Sequence, residues 1–201
     1  MEKCDQNIEV LLAFGGNLPS AVGTPEATIG AAVLALASEG VELIQFSALY
    51  HSPAITLDDN THAPAYTNAV GLFSTKLTPN ELLEVTQGIE RKFGRAAGAR
   101  WSARTLDIDL LVYGDAVLPN RDVWTALEAS DDPAAMLPEP VVPHPRLHKR
   151  GFVLVPLDEI SPNWQHPVLQ STVTAMLKQA EVQGLCEGVE KLAHQPGGPA
   201  K

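Results

Sequence analysis

Two aspartates, Asp107 and Asp109, sit inside the apolar run "TLDIDLLVYGD" of residues 105–115. On a β-strand side chains alternate between faces, so Leu106, Ile108 and Leu110 would enter a core while both carboxylates project from the other face. Carboxylates held that close repel each other unless a cation or a donor lies between them. Such oxygen ligands suit Mg²⁺, which binds one or two carboxylates together with phosphates. A half-buried strand with a solvated acidic face has the same pattern, and a bare Asp-x-Asp does not separate the two. The neighbouring charge favours the metal. Five of the 14 Lys and Arg fall in 91–104, namely Arg91, Lys92, Arg95, Arg100 and Arg104. Carboxylates that hold a metal beside guanidinium groups that grip phosphate form a recurrent phosphoryl-transfer set. Structural ion pairs explain one such cation more easily than five.

Further candidates lie elsewhere in the chain. Gln87 and Glu90 are three apart on an expected helix and share a face; taken alone, that is a solvated face. Tyr66, Asn68, Trp101 and Phe152 could line a pocket for a flat heteroaromatic ligand, since aromatic faces stack and an amide can donate and accept at a ring edge. Singly, each is more readily explained by core or surface packing. The segment "VPHPRLHKRGFVLVPL" (142–157) places His144, His148, Lys149 and Arg150 before an apolar run. Pro143 and Pro145 flank the first histidine and disfavour a helix that would present both to zinc. A histidine and an arginine reaching for phosphate fit better.

The elements that must position these residues can be read in order. Residues 8–17 read as a buried strand ended by Gly-Gly-Asn. Residues 23–40 read as a helix capped by Thr24, with Pro25 in its first turn and Gly40 after its end. Residues 41–54 are expected as one strand closed by Pro53, 57–65 as a polar loop and 66–77 as a third strand. Residues 78–95 carry a capping box, Thr78 with Glu81, and Gly94 at the far end. Residues 105–115 are the fourth strand, 116–143 an irregular surface excursion, and 171–184 a further helix. The order strand, helix, strand, strand, helix, strand is the split βαβ, ferredoxin-like arrangement, an α+β fold with helices packed on an antiparallel sheet and C-terminal additions. One domain is expected over 1–201, its core about 8–182, with 116–140 as a surface excursion and 194–201 as a flexible tail.

Composition narrows the function classes. At 201 residues, 45% hydrophobic and 19% charged, the chain suits one globular domain with a sizeable core. A net charge of −10 argues against a nucleic-acid surface, and local basic clusters on an acidic chain favour a small anionic ligand such as a nucleotide. No apolar run has membrane-span length, and the N-terminus lacks a signal-peptide pattern. Cys4 and Cys186 fit no metal motif and read as unpaired thiols in a reducing cytoplasm, the expected location.

The segments "AFGGN", "YTNAV", "LLEVTQGIERKFGR", "RWSARTLDIDLLVYGD" and "VPHPRLHKRGFVLVPL" together resemble the 6-hydroxymethyl-7,8-dihydropterin pyrophosphokinase family, in the family's order and over about residues 8–165. The resemblance implies transfer of pyrophosphate from ATP to the hydroxymethyl group of a reduced pterin, releasing AMP, in folate biosynthesis, with two Mg²⁺ ions bound alongside ATP. It implies metal binding by Asp107 and Asp109. Pterin contacts would come from Tyr66, Asn68, Trp101 and Phe152, with Asp107 orienting the hydroxyl. Nucleotide contacts would come from Gln87, Glu90, Arg104, Ile108, His144 and Arg150. Arg95 and Trp101 would flank a loop that closes over both substrates, so the catalytic set is Asp107, Asp109, Arg95 and Arg104. The expected partners are ATP and the pterin, with no nucleic acid, membrane or obligate protein partner. The chain departs from the pattern at "AAGA" (96–99), where some members carry a second arginine near Ala97. It departs again at Glu139 and Pro140, where some carry a basic residue, and in a long insert around 120–138 with no assigned role.

Three rival readings share parts of this pattern. A nucleotidyltransferase would want a Gly-Ser turn shortly before the aspartates, whereas Gly15-Gly16 lies far upstream. An RNA-binding ferredoxin-like module would carry exposed aromatics with basic residues. A pterin- or nucleotide-binding member with reduced or no turnover shares the site residues and stays open.

Overall fold

The apolar run after residue 7 forms β1 (Ile8–Gly16), whose centre is buried on both faces. In this computed structural model residues 6–54, 64–94, 104–130 and 140–193 are described. Arg95, Arg100, Trp101, the "AAGA" segment, Glu139, Cys4 and the expected tail lie outside them. After β1 comes α1 (Pro25–Ser38), started by Thr24, whose hydroxyl accepts the Ala27 N–H at 3.4 Å. Then follow β2 (Val41–Phe46), β3 (Tyr50–Ser52) and β4 (Tyr66–Thr75). The helix α2 (Pro79–Lys92) opens on the expected capping box: Glu81 accepts the Thr78 N–H at 2.8 Å while the Thr78 hydroxyl accepts the Glu81 N–H. Gly94 leaves this helix with φ +98°, a conformation glycine adopts without strain. Next comes β5 (Asp107–Tyr113).

The strands make one antiparallel sheet in the order β5-β1-β4, with both β2 and β3 against the far side of β4. This is the strand order of the ferredoxin-like βαββαβ arrangement. Helices α1 and α2 cover one face. Ile29, Leu36, Leu82 and Ile89 meet Phe14, Phe73, Leu106, Ile108 and Leu110 there, and the Phe14 and Phe73 rings lie 5.9 Å apart.

The rest of the chain corrects the sequence reading in two places and adds two elements to it. The expected single strand 41–54 is two, because Ser47 leaves the ladder and its hydroxyl accepts the Val70 N–H at 3.0 Å. The expected irregular excursion carries a helix, α3 (Arg121–Glu128), capped by Asn120 and anchored by a fully buried Trp124. The apolar run after Arg150 is a helix, α4 (Gly151–Ile160), with Pro156 inside it. A two-residue strand, β6 (Glu190–Lys191), pairs with β3 beyond the expected helix, which is α5 (Val173–Val182). Helices α4 and α5 pack on the second face of the sheet through Val153, Leu154, Leu157, Val173 and Met176 against Leu11, Val70 and Leu111. The register of β1 and β5 shifts beside Leu111, so that both Leu111 and Val112 join this second core. Among the described residues no helix is long and apolar enough to cross a membrane.

Candidate functional site

Pairing across the sheet sets the site. Asp107 lies opposite Gly15, Gly15 opposite Asn68, and Asn68 opposite Tyr50; Asp109 lies opposite Ala13. Directly opposed residues share a face, so the two aspartates, the bare Gly15 backbone and Asn68 line one surface. It is the second face, at the end that α4 and α5 leave open. Ile108 between the aspartates points the other way and is 5% exposed. The alternation expected for β5 therefore holds.

Each carboxylate has its own guanidinium. Arg104 Nη1 donates to Asp107 Oδ1 at 2.6 Å, and Arg150 Nη1 donates to Asp109 Oδ2 at 2.6 Å. These pairs answer the repulsion that the sequence poses. Burial pushes the Asp109 carboxyl up, but the charges around it, Arg150 foremost and Arg104 with it, together hold it below the usual carboxylate range. Arg150 also lies over the Phe152 ring, 5.8 Å from its centroid. His144 is tied to β5 by its own N–H, which donates to the Leu111 carbonyl at 2.8 Å. Its Nδ1 accepts the Arg146 N–H at 3.1 Å, so the ring proton resides on Nε2. Burial, reinforced by Arg150, lowers the His144 pKa to about 4, and the ring is neutral at pH 7.

Asn68 is 4% exposed and donates through Nδ2 to the Ser52 hydroxyl at 2.9 Å. A Cβ on Gly15 would come within 3.6 Å of Asn68 Oδ1, so the missing side chain keeps the sheet floor open there. Tyr66 is half-buried beside Arg104 and Asp107. Burial pushes its phenol up, the Arg104 charge opposes this, and Asp107 adds to it.

Glu90 is not on a solvated face. It is 2% exposed, and its Oε1 accepts the Ile108 N–H at 2.7 Å, at the peptide between the two aspartates. Gln87, one turn earlier, is half-buried. His148 and Lys149 turn away from the aspartates and meet Glu128 of α3 at 3.2 and 3.0 Å. Trp101 and Arg95 lie outside the described residues. The structure thus gathers Asp107, Asp109, Arg104, Arg150, His144, Asn68, Tyr66 and Phe152 around one end of the second face.

Three supporting residues escaped the sequence reading. Asn17 accepts the Arg104 N–H at 2.9 Å and donates to the Pro64 carbonyl at 3.2 Å, which joins the segments entering β4 and β5. Gly16 lies so close to the next segment that a Cβ would sit 2.6 Å from the Thr105 carbonyl oxygen. Ser52 orients Asn68. The Gly-Gly-Asn end of β1 was the available signal for the first two; Ser52 has none in the sequence.

The donor set fits a hard divalent cation. Two carboxylates two residues apart share a face, and one is held ionised by its surroundings. Among the described residues no group of three or more His, Cys, Asp or Glu side chains gathers as a metal site. An ion here would therefore complete its shell with phosphate oxygens and water, as Mg²⁺ does.

Comparisons with known proteins bear on this geometry. The family profile described as "7,8-dihydro-6-hydroxymethylpterin-pyrophosphokinase (HPPK)" matches residues 11–162. A Synechocystis protein named 2-amino-4-hydroxy-6-hydroxymethyldihydropteridine pyrophosphokinase is 33% identical over 171 residues, covering 85% of this chain and 75% of that protein. A Haemophilus influenzae protein of the same name is 33% identical over 173 residues, covering 86% and 92%. Among solved structures, Plasmodium falciparum HPPK-DHPS with pteroate superposes with a TM-score of 0.67 at 14% identity, covering 95% of this chain and 47% of that longer one.

Proposed function

The chain belongs to the 7,8-dihydro-6-hydroxymethylpterin-pyrophosphokinase family, and on that premise we propose that it transfers pyrophosphate from ATP to 6-hydroxymethyl-7,8-dihydropterin in folate biosynthesis. The observation that carries the reading is the pair of aspartates on β5, each matched with an arginine, beside the Asn68 and Tyr66 pocket. In the reaction the pterin hydroxyl attacks the β-phosphorus in line. The bond from that phosphorus to the oxygen bridging to the α-phosphorus breaks, and AMP leaves while the pterin diphosphate forms.

The residues divide this work. Asn68 reads the edge of the pterin through Oδ1, its Nδ2 being engaged by Ser52. Tyr66, Phe152 and Trp101 supply apolar and aromatic surface for the ring. Asp107 orients the hydroxyl at the sheet floor left open by Gly15. Arg104 and Arg150, paired with carboxylates in the structure, turn to phosphate oxygens when nucleotide arrives, because guanidinium groups grip them bidentately. Asp107 and Asp109 would hold Mg²⁺, two ions in this reading, which would supply neutralisation of phosphate charge. Neutral His144 offers its Nε2–H to a phosphate oxygen without adding a charge beside Arg150. Glu90 holds the Ile108 peptide and so fixes the spacing of the aspartates from behind the sheet; a direct nucleotide contact by the buried Ile108 and Glu90 side chains is not part of this reading. The family resemblance adds Arg95 and Trp101, which lie outside the described residues, as the flanks of a loop that closes over the substrates. Positioning and fixed charge carry most of the rate in such a transfer.

The test is AMP formation from ATP, Mg²⁺ and the pterin, with a control lacking pterin. AMP that appears only with pterin is the expected result. AMP formed at the same rate without pterin would mean ATP cleavage to water. Pterin binding without AMP would favour the binding module that has lost turnover.

A further inference from the structure

We propose that α3 is a brace for the segment that carries His144 and Arg150, with Trp124 and Glu128 as positioning residues for nucleotide phosphates; this rests on the pyrophosphokinase reading. The segment from Pro143 to Arg150 has little regular structure of its own. Two prolines flank His144, and only a single 3₁₀ turn, Leu147–Lys149, intervenes before Arg150. Chain of this kind needs outside anchors to hold two phosphate ligands in register.

Helix α3 supplies an anchor beside each ligand. Trp124 Nε1 donates to the Pro143 carbonyl at 2.6 Å, immediately before His144. Glu128 receives His148 Nε2 at 3.2 Å and Lys149 Nζ at 3.0 Å, immediately before Arg150. Lys149 Nζ donates as well to the Glu128 main-chain carbonyl at 3.0 Å. Two further ties fix α3 itself. Arg121 donates to the Pro167 carbonyl at 2.8 Å, and the Trp124 ring lies 4.9 Å from that of His166, which has no solvent exposure. His166 is held in turn, its Nδ1 accepting the N–H groups of Val168 and Leu169 at 3.2 Å. The brace thus runs from the α4–α5 connection, through α3, to both ends of the phosphate-side segment.

The pterin side is held mainly by other contacts: Phe152, although under the Arg150 guanidinium, is set by the packing of α4 on the second core. Tyr66 and Asn68 are on β4, at the centre of the sheet, and take their positions from strand pairing and Ser52. Loosening α3 therefore acts on nucleotide and spares pterin. A helix that merely adds stability would show no such selectivity.

The experiment uses the full chain carrying Glu128→Ala, Glu128→Gln or Trp124→Phe, beside the unaltered protein. Glu128 is partly exposed, so its removal leaves the fold intact. Trp124→Phe keeps most of the buried volume and removes the donor to Pro143. KM for ATP should rise about 5–20-fold in Glu128→Ala and Trp124→Phe, with kcat and the KM for pterin within about twofold. Affinity for a non-hydrolysable ATP analogue with Mg²⁺, measured calorimetrically, should fall by a similar factor. Glu128→Gln, which still accepts from His148, should recover most of the loss. An unchanged KM for ATP in both variants would overturn the brace. So would an equal rise for ATP and pterin accompanied by a lower Tm. If the unaltered protein forms no AMP but the variants still weaken analogue binding, the brace stands and the functional reading falls.

Discussion

The two faces of the sheet divide the labour differently. Under α1 and α2 the sheet is dry, and Phe14, Phe73, Leu82, Leu106 and Ile108 are each at most 5% exposed. The opposite face is dry only where α4 and α5 lie; beyond them it carries two carboxylates, two guanidinium groups and an amide. One strand serves both. Ile108 and Leu110 lock β5 into the first core, and that rigidity holds Asp107 and Asp109 in fixed positions on the second face. A site that places like charges side by side needs such a backing, because electrostatic preorganisation is lost if the strand can relax.

Substitutions on the two faces should separate stability from chemistry. The largest loss of stability is expected from Phe73→Ala, which empties a fully buried site on the dry face at a cost of about 3–5 kcal/mol. Urea denaturation measures it, and the protein that stays folded should retain its KM for both substrates. Glu90→Ala sharpens the comparison because Glu90 links the faces. Losing the acceptor for the Ile108 N–H should cost about 2 kcal/mol, and turnover should fall as well because the aspartates lose their register. Glu90→Gln, still able to accept, should restore much of both. A Glu90→Ala protein with lower stability and normal turnover would break the link.

A separate effect is expected with pH. His144 and His166 are held neutral by burial, each with a pKa near 4. In the unfolded chain they protonate near pH 6.5, so the unfolded state binds more protons below that value. Stability is then full above about pH 6.5 and declines as pH falls toward 4, by at most about 1.4 kcal/mol per pH unit for each histidine. Asp109, whose pKa is also lowered, adds to the loss only below about pH 4, where an unfolded aspartate would take up its proton first. Denaturation midpoints measured from pH 8 to pH 4.5 should be level and then fall; a level profile throughout would contradict the buried neutral rings.

The βαββαβ core was legible because its signals are local. Caps at Thr24 and Thr78, the glycine ends and the alternation in β5 involve residues a few positions apart. What was not legible depends on distant partners. The strand 41–54 breaks because Ser47 meets Val70. Helix α3 is eight residues long and bordered by prolines, and it exists because Trp124 is buried against Pro143 and His166. The run after Arg150 carries Pro156 and no local helix cap, yet packing of Val153, Leu154 and Leu157 on the sheet outweighs the hydrogen bond that the proline gives up. The site followed the same rule. Asp-x-Asp was visible as a motif, whereas the arginine that each aspartate receives, and the service of Glu90 to the peptide between them, needed the fold.

The central claim is that the half-buried aspartates of β5 serve chemistry and not folding. It is tested most directly by Asp107→Ala and Asp109→Ala, assayed for pterin-dependent AMP formation alongside thermal unfolding. The account predicts that each loses at least about a hundredfold in kcat, with Tm within a few degrees of the unaltered protein. Near-normal turnover in either variant would contradict the metal and nucleotide assignment of the site.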